Sequence, residues 1–398
     1  MDNSIKKIIT EGISSLSEIF SPNKSTKNAL GIDIGSSAIK VVQLKKKNGK
    51  AVLETYGAIS LGPYGKTEIG SVTNLSTADI AKALIDVVRE SNVTNKSAVI
   101  AIPSSSSLIF TISLPGNLND SQLASIIPIE ARKYIPVPIT EVTLDWFIIP
   151  QEASSIEDGI MTLDLSNQQA VQADPTKDPK SQPVAPESKV EVLVVAIHND
   201  IMSRYQEVIL KTDIQTDSFE MEIFSNIRSV LSHDTAPVLL MDFGASKTKL
   251  SIVDGGVVRV FHVVNRGSQD ITKNISQSLG VSFDEAEKLK RSVGLDVASN
   301  AEVAKIIQTS VDYIFSDTNS IVLAYEKKYN KTVSKIVLVG GGSLLKGLVD
   351  QAVKSLHAEI SLGDPFSKTE TPAFLVPILK DSGPEFAVAI GSALRQLS

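Results

Sequence analysis

Two segments of this chain repeat one pattern, and this repeat is the feature that most constrains the fold. The first segment runs from Ala29 to Lys40 and the second from Pro237 to Thr248. Each is an apolar strand that ends in Asp-x-Gly and is followed by small or hydroxyl-bearing residues and a second strand. A glycine-rich turn between strands can direct consecutive backbone N–H groups at a phosphate. Two such turns facing each other would clamp a nucleoside triphosphate, so the repeat predicts a duplicated fold with a nucleotide in its central cleft.

The repeat extends beyond the two turns. The first copy is predicted as strands at 29–35, 38–46 and 51–61, a helix at 77–91 and a strand at 97–102. The second copy is predicted as strands at 237–243, 247–254 and 257–264 and a helix at 268–279. A βββα unit that occurs twice, with Asp-x-Gly at the same place in each copy, indicates an internal duplication.

An insert separates the two copies. A helix is predicted at 118–135, and apolar strands at 139–149 and 189–197 are predicted to pair as a hairpin. Residues 151–188 between these strands are rich in Ser, Gln, Asp, Pro and Lys. Such a composition cannot bury a core, so we expect a disordered loop there. The remaining predicted elements are helices at 200–212, 218–232, 282–292, 299–312, 316–330, 344–356 and 384–396 and a strand at 334–339.

These elements predict an α/β fold of two lobes with a small inserted α+β subdomain. An amphipathic helix or tail at 1–28 precedes the lobes, and it either packs on the body or docks to a membrane surface or a partner. The expected divisions are the first lobe at 29–114, the inserted subdomain at 115–215, a return to the first lobe at 216–236, the second lobe at 237–383 with its upper subdomain at about 268–333, and a C-terminal helix on the first lobe at 384–398.

The composition excludes several classes of protein. With 398 residues, the chain is too long for one simple core and is expected to form two or more domains. A net charge of −6 gives no support to nucleic-acid binding, and the absence of cysteine excludes thiolate zinc sites and cysteine nucleophiles. The four histidines show no ligand spacing. No apolar run reaches the ~18 residues that span a bilayer, and no secretory signal is evident, so we expect a cytoplasmic protein.

The aspartates of the two turns are the candidate metal ligands. Asp33 and Asp242 each end a strand beside a glycine-rich turn, where a carboxylate can hold Mg²⁺ directly or through water. The alternative is an aspartate that only starts a tight turn, but the duplicated context favours the metal. Lys40 either reaches a terminal phosphate or is an exposed strand lysine. The other candidate phosphate-binding residues are Gly35, Ser36, Ser37, Gly244, Ala245, Ser246 and Thr248.

Two further segments are candidates for contact with the nucleoside. A glycine-rich segment follows a predicted strand and opens a helix, where the backbone can approach a base or an α-phosphate. Such a step also occurs for packing alone, and it does not fit the P-loop pattern. A charged triplet at i, i+3 and i+4 shares one helix face, which either grips a ribose and base or is a solvated surface. The residues concerned are Gly340, Gly341, Gly342 and Ser343 in the glycine-rich segment and Glu287, Lys290 and Arg291 in the triplet.

Taken in order, these segments resemble the nucleotide-binding motifs of the actin–hexokinase–Hsp70 superfamily. The Asp33 turn is similar to the first phosphate motif, the Asp242 turn to the second, and Gly340–Gly342 to the adenosine motif. The charged triplet is similar to the helix that contacts ribose and base. The resemblance spans most of 29–396 and implies a two-lobed actin-like fold of the duplicated ribonuclease-H-like type.

Within that superfamily, the chain resembles the PilM family of type IV pilus assembly proteins. The resemblance is carried by Gly31–Val42 and, in the insert, by Glu130–Pro138 and Val142–Trp146. The position of the insert matches PilM and its cell-division relative FtsA, and does not match actin or sugar kinases. The chain departs from the family pattern in its long loop at 151–188 and in the predicted helix before Leu30.

The PilM resemblance implies a nucleotide-dependent scaffold that binds ATP with Mg²⁺. Such proteins hold the cytoplasmic tail of PilN, an inner-membrane protein, so the expected location is the inner face of the cytoplasmic membrane. Other pilus platform components and a second copy of the chain are further candidate partners. Hydrolysis, if any, is slow, and the sequence identifies no catalytic base for water. One apolar set in the insert is either a groove for the tail or simply the core of the insert. This set comprises Tyr134–Pro138, Trp146 and Phe147.

Two other functions stay open at this point. A cell-division filament protein like FtsA has the same lobes and insert but normally carries a C-terminal amphipathic membrane helix, whereas this sequence stops after its last predicted core helix. A small-molecule kinase of the same superfamily needs a substrate pocket and a base aspartate. A chaperone is disfavoured because no substrate-binding domain follows residue 398.

Overall fold

The structure is a computed structural model that describes residues 27–116, 118–149, 189–232 and 236–397. The predicted N-terminal helix or tail lies outside the described residues except for Lys27 and Asn28. The disordered loop expected at 151–188 also lies outside them, so both expectations stay predictions.

Thirteen strands and ten α-helices, numbered in chain order, are formed by the described residues. The strands are β1 (Asn28–Ile34), β2 (Ala38–Lys47), β3 (Lys50–Ser60), β4 (Ser97–Ile102), β5 (Ser107–Pro115), β6 (Val142–Ile149), β7 (Lys189–His198), β8 (Gln215–Met221), β9 (Val238–Phe243), β10 (Thr248–Asp254), β11 (Val257–Val264), β12 (Lys335–Val339) and β13 (Glu359–Leu362). The helices are α1 (Thr77–Glu90), α2 (Asp120–Ala131), α3 (Asn199–Leu210), α4 (Glu222–Val230), α5 (Ser268–Leu279), α6 (Phe283–Val293), α7 (Ala301–Tyr329), α8 (Leu348–Ser355), α9 (Val376–Ser382) and α10 (Ala387–Leu397).

Five strands form the sheet of the first lobe, in the order β3-β2-β1-β4-β8. β1 lies in the middle, antiparallel to β2 and parallel to β4. All of its residues after Asn28 are buried, and Leu30 and Ile32 have no exposed surface. Burial of each such side chain stabilises the fold by about 1.5–3 kcal/mol. A strand buried on both faces is a continuous apolar run, which explains why the sequence locates β1 to within one residue at each end.

The second lobe repeats this sheet with the order β11-β10-β9-β12-β13. Its central strand, β9, is antiparallel to β10 and parallel to β12, as β1 is to β2 and β4. The two sheets correspond strand by strand. The predicted α/β fold of two duplicated lobes is therefore confirmed.

One strand of the first sheet occupies sequence that was expected to be helical. A helix over 218–232 is wrong for its first four residues, because β8 runs parallel to β4 as far as Met221 and α4 begins at Glu222. The apolar residues Phe219, Met221 and Ile223 alternate, and a short segment of this kind satisfies the strand and the helix pattern equally well. The edge of β4 favours the strand, since its backbone N–H and C=O groups need partners.

Part of the second lobe also differs from expectation. The separate helices predicted at 299–312 and 316–330 form the single helix α7. The residues between them contain no glycine or proline that would end a helix, and Ile314 and Phe315 are buried in the core of this lobe. The short edge strand β13, absent from the predicted elements, pairs in parallel with β12.

The inserted subdomain is a three-stranded sheet in the order β5-β7-β6 with α2 packed against it. β6 and β7 pair antiparallel, as predicted for the hairpin pair. β7 pairs on its other side with β5, which lies before the expected start of the insert at residue 115. Ile127 of α2 and Val194 of β7 have no exposed surface, so the subdomain has a small core of its own.

The two lobes share part of one core. A single buried apolar cluster contains Ile34 from the first sheet together with Leu240 and Val339 from the second. On the first lobe, α10 packs so closely on β1 that a Cβ at Gly31 would lie 1.9 Å from the carbonyl oxygen of Ala389. The cleft between the lobes consequently has a packed floor.

Candidate functional site

The two Asp-x-Gly turns have the same geometry. The N–H of Gly35 donates to the carbonyl of Ala38 at 3.0 Å, and the N–H of Gly244 donates to the carbonyl of Lys247 at 3.1 Å. A Cβ at Gly35 would lie 3.0 Å from the first of these oxygens, and one at Gly244 would lie 2.9 Å from the second. Each turn is thus too tight for a side chain at its glycine, which accounts for the conformation that both copies share.

Both turns line one cleft between the lobes, with a volume of about 720 Å³. The cleft also brings the glycine-rich segment after β12 and the charged face of α6 to the same space. The predicted site residues that line it are Asp33, Gly35, Ser36, Ser37, Lys40, Asp242, Gly244, Ala245, Ser246, Glu287, Lys290, Arg291, Gly340, Gly341 and Gly342.

Two predicted site residues do not line the cleft. Thr248 is fully buried, and its hydroxyl donates to the carbonyl of Arg266 at 2.9 Å. Ser343 is also buried, and its hydroxyl donates to the carbonyl of Gly340 at 2.7 Å. Both hydroxyls therefore brace the backbone around the site, and neither is placed to contact a ligand.

At the first turn, Asp33 lies directly across the strand pair from Lys40. The residue is only 6% exposed, and within the described part of the chain its carboxylate accepts no hydrogen bond. Burial raises the pKa of Asp33 to about 7, and the neighbouring carboxylates of Glu222 and Asp242 act in the same direction. The charges of Lys40 and Lys249 oppose this rise in pKa. An added cation at the first turn would therefore stabilise the ionised form of the Asp33 carboxyl group.

At the second turn, Asp242 belongs to a buried network of charges. Its Oδ2 is 2.9 Å from the Nζ of Lys249, which is also 2.6 Å from the Oε2 of Glu222. The amide of Asn226 donates to the same Asp242 oxygen at 3.4 Å, and the backbone N–H of Ser104 donates to Glu222 at 3.1 Å. Burial by itself lowers the pKa of Lys249, but the two carboxylates outweigh burial and hold this pKa above its usual value.

Two charged residues of this network, Lys249 and Glu222, are not among the site residues predicted from the sequence. The pattern that identifies Lys249 is the duplication itself, since Lys249 follows Asp242 by the same seven positions that separate Lys40 from Asp33. Glu222 has no such counterpart in the repeat. It reaches the site only because α4 starts at the end of β8, a strand that the sequence reasoning replaced with helix.

The charged face of α6 is a connected network. Glu287 accepts from Lys290 at 2.6 Å, from the hydroxyl of Thr272 at 2.7 Å and from the Nε of Arg291 at 2.7 Å. Burial alone would raise the pKa of Glu287, but the Lys290 ammonium and these hydrogen bonds lower it overall. The Arg291 side chain is 67% exposed, so its guanidinium plane is accessible for stacking.

The glycine-rich segment packs directly on the second turn. Gly340 has φ +83°, and a Cβ there would lie 2.6 Å from the Oδ1 of Asp242. A Cβ at Gly342 would lie 2.7 Å from the ring of Phe243. At Gly341, by contrast, the nearest atom to a Cβ would be a Glu385 oxygen at 4.0 Å. Packing thus requires two of the glycines, and the third leaves open space in the cleft.

The donor set suits a magnesium ion that is shared with phosphates. The described residues contain no group of three or more His, Asp or Glu side chains that could hold a metal by themselves. Mg²⁺ is commonly bound by one or two carboxylates, with phosphate oxygens and water as the other ligands. Asp33 has a carboxylate without a protein partner in the described part, whereas Asp242 is engaged by Lys249.

No helix of the described residues is long and apolar enough to cross a membrane.

Two lobes with matching five-stranded sheets, and an Asp-x-Gly turn from each lobe at the cleft between them, define the class of actin-like ATPase folds. Within this class the chain belongs to the PilM family, since the family model described as type IV pilus assembly protein PilM matches residues 31–173 and 180–397. Pilus assembly is therefore the process that this family assignment supports.

Several known proteins are similar to this chain. A solved structure described as the PilM–PilN type IV pilus biogenesis complex has a TM-score of 0.75 with this chain at 21% identity, covering 94% of this chain and 99% of that one. Ethanolamine utilization protein EutJ from Carboxydothermus hydrogenoformans has a TM-score of 0.50 at 12% identity, with 99% of both chains covered. The cell division protein FtsA of Pseudomonas aeruginosa is 22% identical over 376 residues, or 86% of this chain and 84% of that protein. FtsA of Streptococcus pneumoniae is 21% identical over 368 residues, covering 84% and 75%.

Proposed function

We propose that this protein is an ATP-binding scaffold of the type IV pilus assembly platform at the cytoplasmic face of the membrane. It holds Mg-ATP between its lobes and binds the cytoplasmic tail of a PilN-like membrane protein. The observation that carries the nucleotide part is the pair of Asp-x-Gly turns, one from each lobe, that line a single cleft. The FtsA-like and kinase functions are the alternatives against which this proposal is tested.

The residues of the cleft favour one orientation of a bound nucleotide. The phosphates lie between the two turns, where backbone N–H groups and the ammonium groups of Lys40 and Lys249 meet negative charge. The Mg²⁺ belongs on the Asp33 side and supplies further positive charge to the phosphates. The base and ribose lie between the charged face of α6 and Gly341, the glycine with open space.

The nucleotide part is tested by thermal unfolding with and without Mg-ATP. A ligand at ~100 times its Kd that binds only the folded state stabilises it by ~2.7 kcal/mol, so the wild type should melt at higher temperature. Ser36→Glu places a carboxylate beside the phosphates and should abolish this shift. Ser320→Glu makes the same change on an exposed part of α7 and should keep it. An unchanged melting temperature of the wild type would exclude Mg-ATP from the cleft.

A scaffold is favoured over a rapid enzyme by the state of the carboxylates. A general base for water needs a carboxylate that can accept a proton near the terminal phosphate. Glu222 and Asp242 are both engaged by Lys249, and Asp33 is the proposed metal ligand. Turnover of ATP by the purified protein should therefore stay far below the ~10 s⁻¹ that is typical of enzymes. Rapid phosphate release or transfer to a small molecule would support the kinase alternative instead.

The junction of the insert and the first lobe is the proposed site for the PilN-like tail. Phe147 of β6 is 47% exposed and contacts Phe224 of α4, with ring centroids 5.2 Å apart. Tyr134 after α2 is 52% exposed and stacks on Phe110 of β5 at 4.9 Å. An exposed ring at a subdomain junction, as Phe147 is, suits an extended peptide whose apolar side chains enter pockets, whereas Tyr134 lies on the other face of the insert sheet, on the side of α2. Ile135, in contrast, is buried in the core of the insert.

Peptide titration tests this part of the proposal. A synthetic N-terminal peptide of the PilN-like partner should bind the wild type, and Phe147→Ala should weaken binding more than Tyr134→Ala, which changes the other face of the insert sheet. Phe374→Ala removes another exposed aromatic ring, on the segment before α9, and serves as the control. Equal affinity of all four proteins would place the tail elsewhere. Because neither Phe147 nor Tyr134 lines the cleft, Mg-ATP stabilisation should persist in both variants.

A further inference from the structure

The same seven-residue spacing from aspartate to lysine occurs in both turns, but the two pairs differ in their contacts. Lys40 lies opposite Asp33 across β1 and β2, and Lys249 lies opposite Asp242 across β10 and β9. Within the described residues, neither the carboxylate of Asp33 nor the ammonium of Lys40 takes part in a hydrogen bond or a direct ion pair. Lys249, by contrast, contacts the carboxylates of Asp242 and Glu222 at 2.9 and 2.6 Å. The second turn thus contains a cation that belongs to the protein.

This internal cation is held in place by burial and by fixed partners. The side chain of Lys249 is 15% exposed, that of Asp242 12% and that of Glu222 7%. Charges at such depth are tolerated when they are paired and hydrogen-bonded. Glu222 also accepts a hydrogen bond from the backbone N–H of Ser104, which holds this carboxylate in place as an acceptor for the Lys249 ammonium. A divalent ion bound directly to Asp242 would be repelled by the ammonium of Lys249, which already neutralises this carboxylate.

The ammonium still has a donor for a ligand. An ammonium carries three N–H groups, and two of those of Lys249 are directed to carboxylates. Lys249 lines the cleft, so the third N–H is available there. We propose that Lys249 is the cation of the second phosphate turn, where it binds a phosphate oxygen and replaces a divalent ion on Asp242. This inference rests on the proposed nucleotide binding and leaves Mg²⁺ to the Asp33 side of the cleft.

The test is the metal dependence of ATP affinity, measured by isothermal titration calorimetry in Mg²⁺ and in EDTA. The wild type should retain ATP binding in EDTA, because one of its phosphate-binding cations is a side chain. Lys249→Met removes the charge at similar length and should raise the ratio of Kd in EDTA to Kd in Mg²⁺ at least about tenfold. Lys40→Met removes the same charge from the other turn and should weaken binding in both buffers by similar factors.

Manganese binding in the absence of nucleotide is the second readout. Electron paramagnetic resonance of added Mn²⁺ should reveal a site in Lys249→Met that the wild type lacks, and Asp242→Asn in the same chain should remove it again. A wild type that binds no ATP in either buffer, with the Mn²⁺ site still gained in Lys249→Met, would refute the nucleotide proposal and support the replacement of a metal by Lys249.

The single variant leaves Asp242 and Glu222 as unpaired buried carboxylates, which can prevent folding. Lys249→Met combined with Glu222→Gln restores the net charge of the network and is compared with Glu222→Gln alone. An unchanged Kd ratio in a folded variant would overturn the inference. An equal rise of the Kd ratio in Lys40→Met would also overturn the inference, because a lysine of the first turn would then have the same effect as Lys249.

Discussion

Three carboxyl groups of the cleft differ in the partners that surround them. Glu287 is surrounded by donors from α5 and α6, and Asp242 shares the ammonium of Lys249. Asp33 has the opposing strand residue Lys40 nearby, but its carboxylate accepts no hydrogen bond within the described residues. Burial therefore makes ionisation of Asp33 unfavourable, and an added cation would stabilise the ionised form.

Asp33 should make stability depend on pH in the absence of ligands. Its pKa is raised from 3.8 to about 7 in the folded state, chiefly by burial, so the folded protein binds more protons than the unfolded chain between these values. The free energy of unfolding should therefore fall as pH rises from about 4 to 7. Asp33→Asn removes this contribution, and should be more stable than the wild type at pH 8 by on the order of 2–4 kcal/mol.

Urea unfolding in EDTA across this pH range measures the effect. The difference between Asp33→Asn and the wild type should shrink as pH falls toward 4 and vanish below the unfolded pKa of 3.8, where the wild-type carboxyl is protonated in both states. A difference that stays constant with pH would show that Asp33 ionises normally in the folded protein. Asp312→Asn, the same substitution at a surface carboxyl on α7 beside Gln351, is the matched control.

The sequence alone locates the residues that belong to local patterns and misses those that need tertiary contacts. Both aspartates and both turn glycines follow from the repeat, because a tight turn after a buried strand restricts the residue types. Lys249 was accessible through the same repeat. Thr248 was expected at the phosphates, but its strand position directs it inward to the carbonyl of Arg266. Glu222 could not be predicted, since its position depends on the pairing of β8 with β4.

The C-terminal helix α10 is an integral part of the first lobe. The side-chain oxygen of Gln396 accepts from the backbone N–H of Leu30 at 2.9 Å. Arg395 is 3.0 Å from Glu220, which is only 2% exposed, so the helix end is also tied to β8. Elements with a clear pattern, such as the apolar run of β1 and the helical period of α5, are located from the sequence to within a residue. The sequence predicts two separate helices where the structure has the single helix α7, because no local residue marks where a helix continues.

Gly31 should be the most sensitive position of this helix–strand contact. A Cβ at Gly31 would lie 1.9 Å from the carbonyl oxygen of Ala389 and 2.6 Å from the nitrogen of Ala393, both backbone atoms of α10. Gly31→Ala must therefore separate α10 from β1, and such overpacking costs at least about 1–3 kcal/mol. We expect a lower melting temperature by thermal unfolding. Gly341→Ala, where a Cβ meets open space, should unfold near the wild-type temperature, and equal losses in both variants would contradict the packing argument.

Across the whole molecule, the mouth of the cleft is bridged by contacts between the lobes. The backbone N–H of Val72, on the loop that precedes α1, donates to the side chain of Gln269 on α5. Gly70 of the same loop has φ +88°, and a Cβ there would lie 3.1 Å from the Glu287 carboxyl carbon. The loop thus lies against α5 and α6, at the end of the cleft where we propose the nucleoside. We expect a ligand between the lobes to leave more readily when these contacts open.

Gln269→Ala should therefore have a larger effect on the rate of nucleotide release than on the free energy of unfolding. It removes one hydrogen bond between the lobes, worth about 0.5–1.5 kcal/mol, which corresponds to a release rate on the order of two to ten times faster. Stopped-flow displacement of a fluorescent ATP analogue measures that rate. Gln351→Ala, which removes a glutamine that bonds Asp312 within the second lobe, is the matched control and should leave release unchanged. Equal release rates in all three proteins would mean that the bridge at Val72 does not limit opening, and that closure of the cleft depends on the shared core beneath it instead.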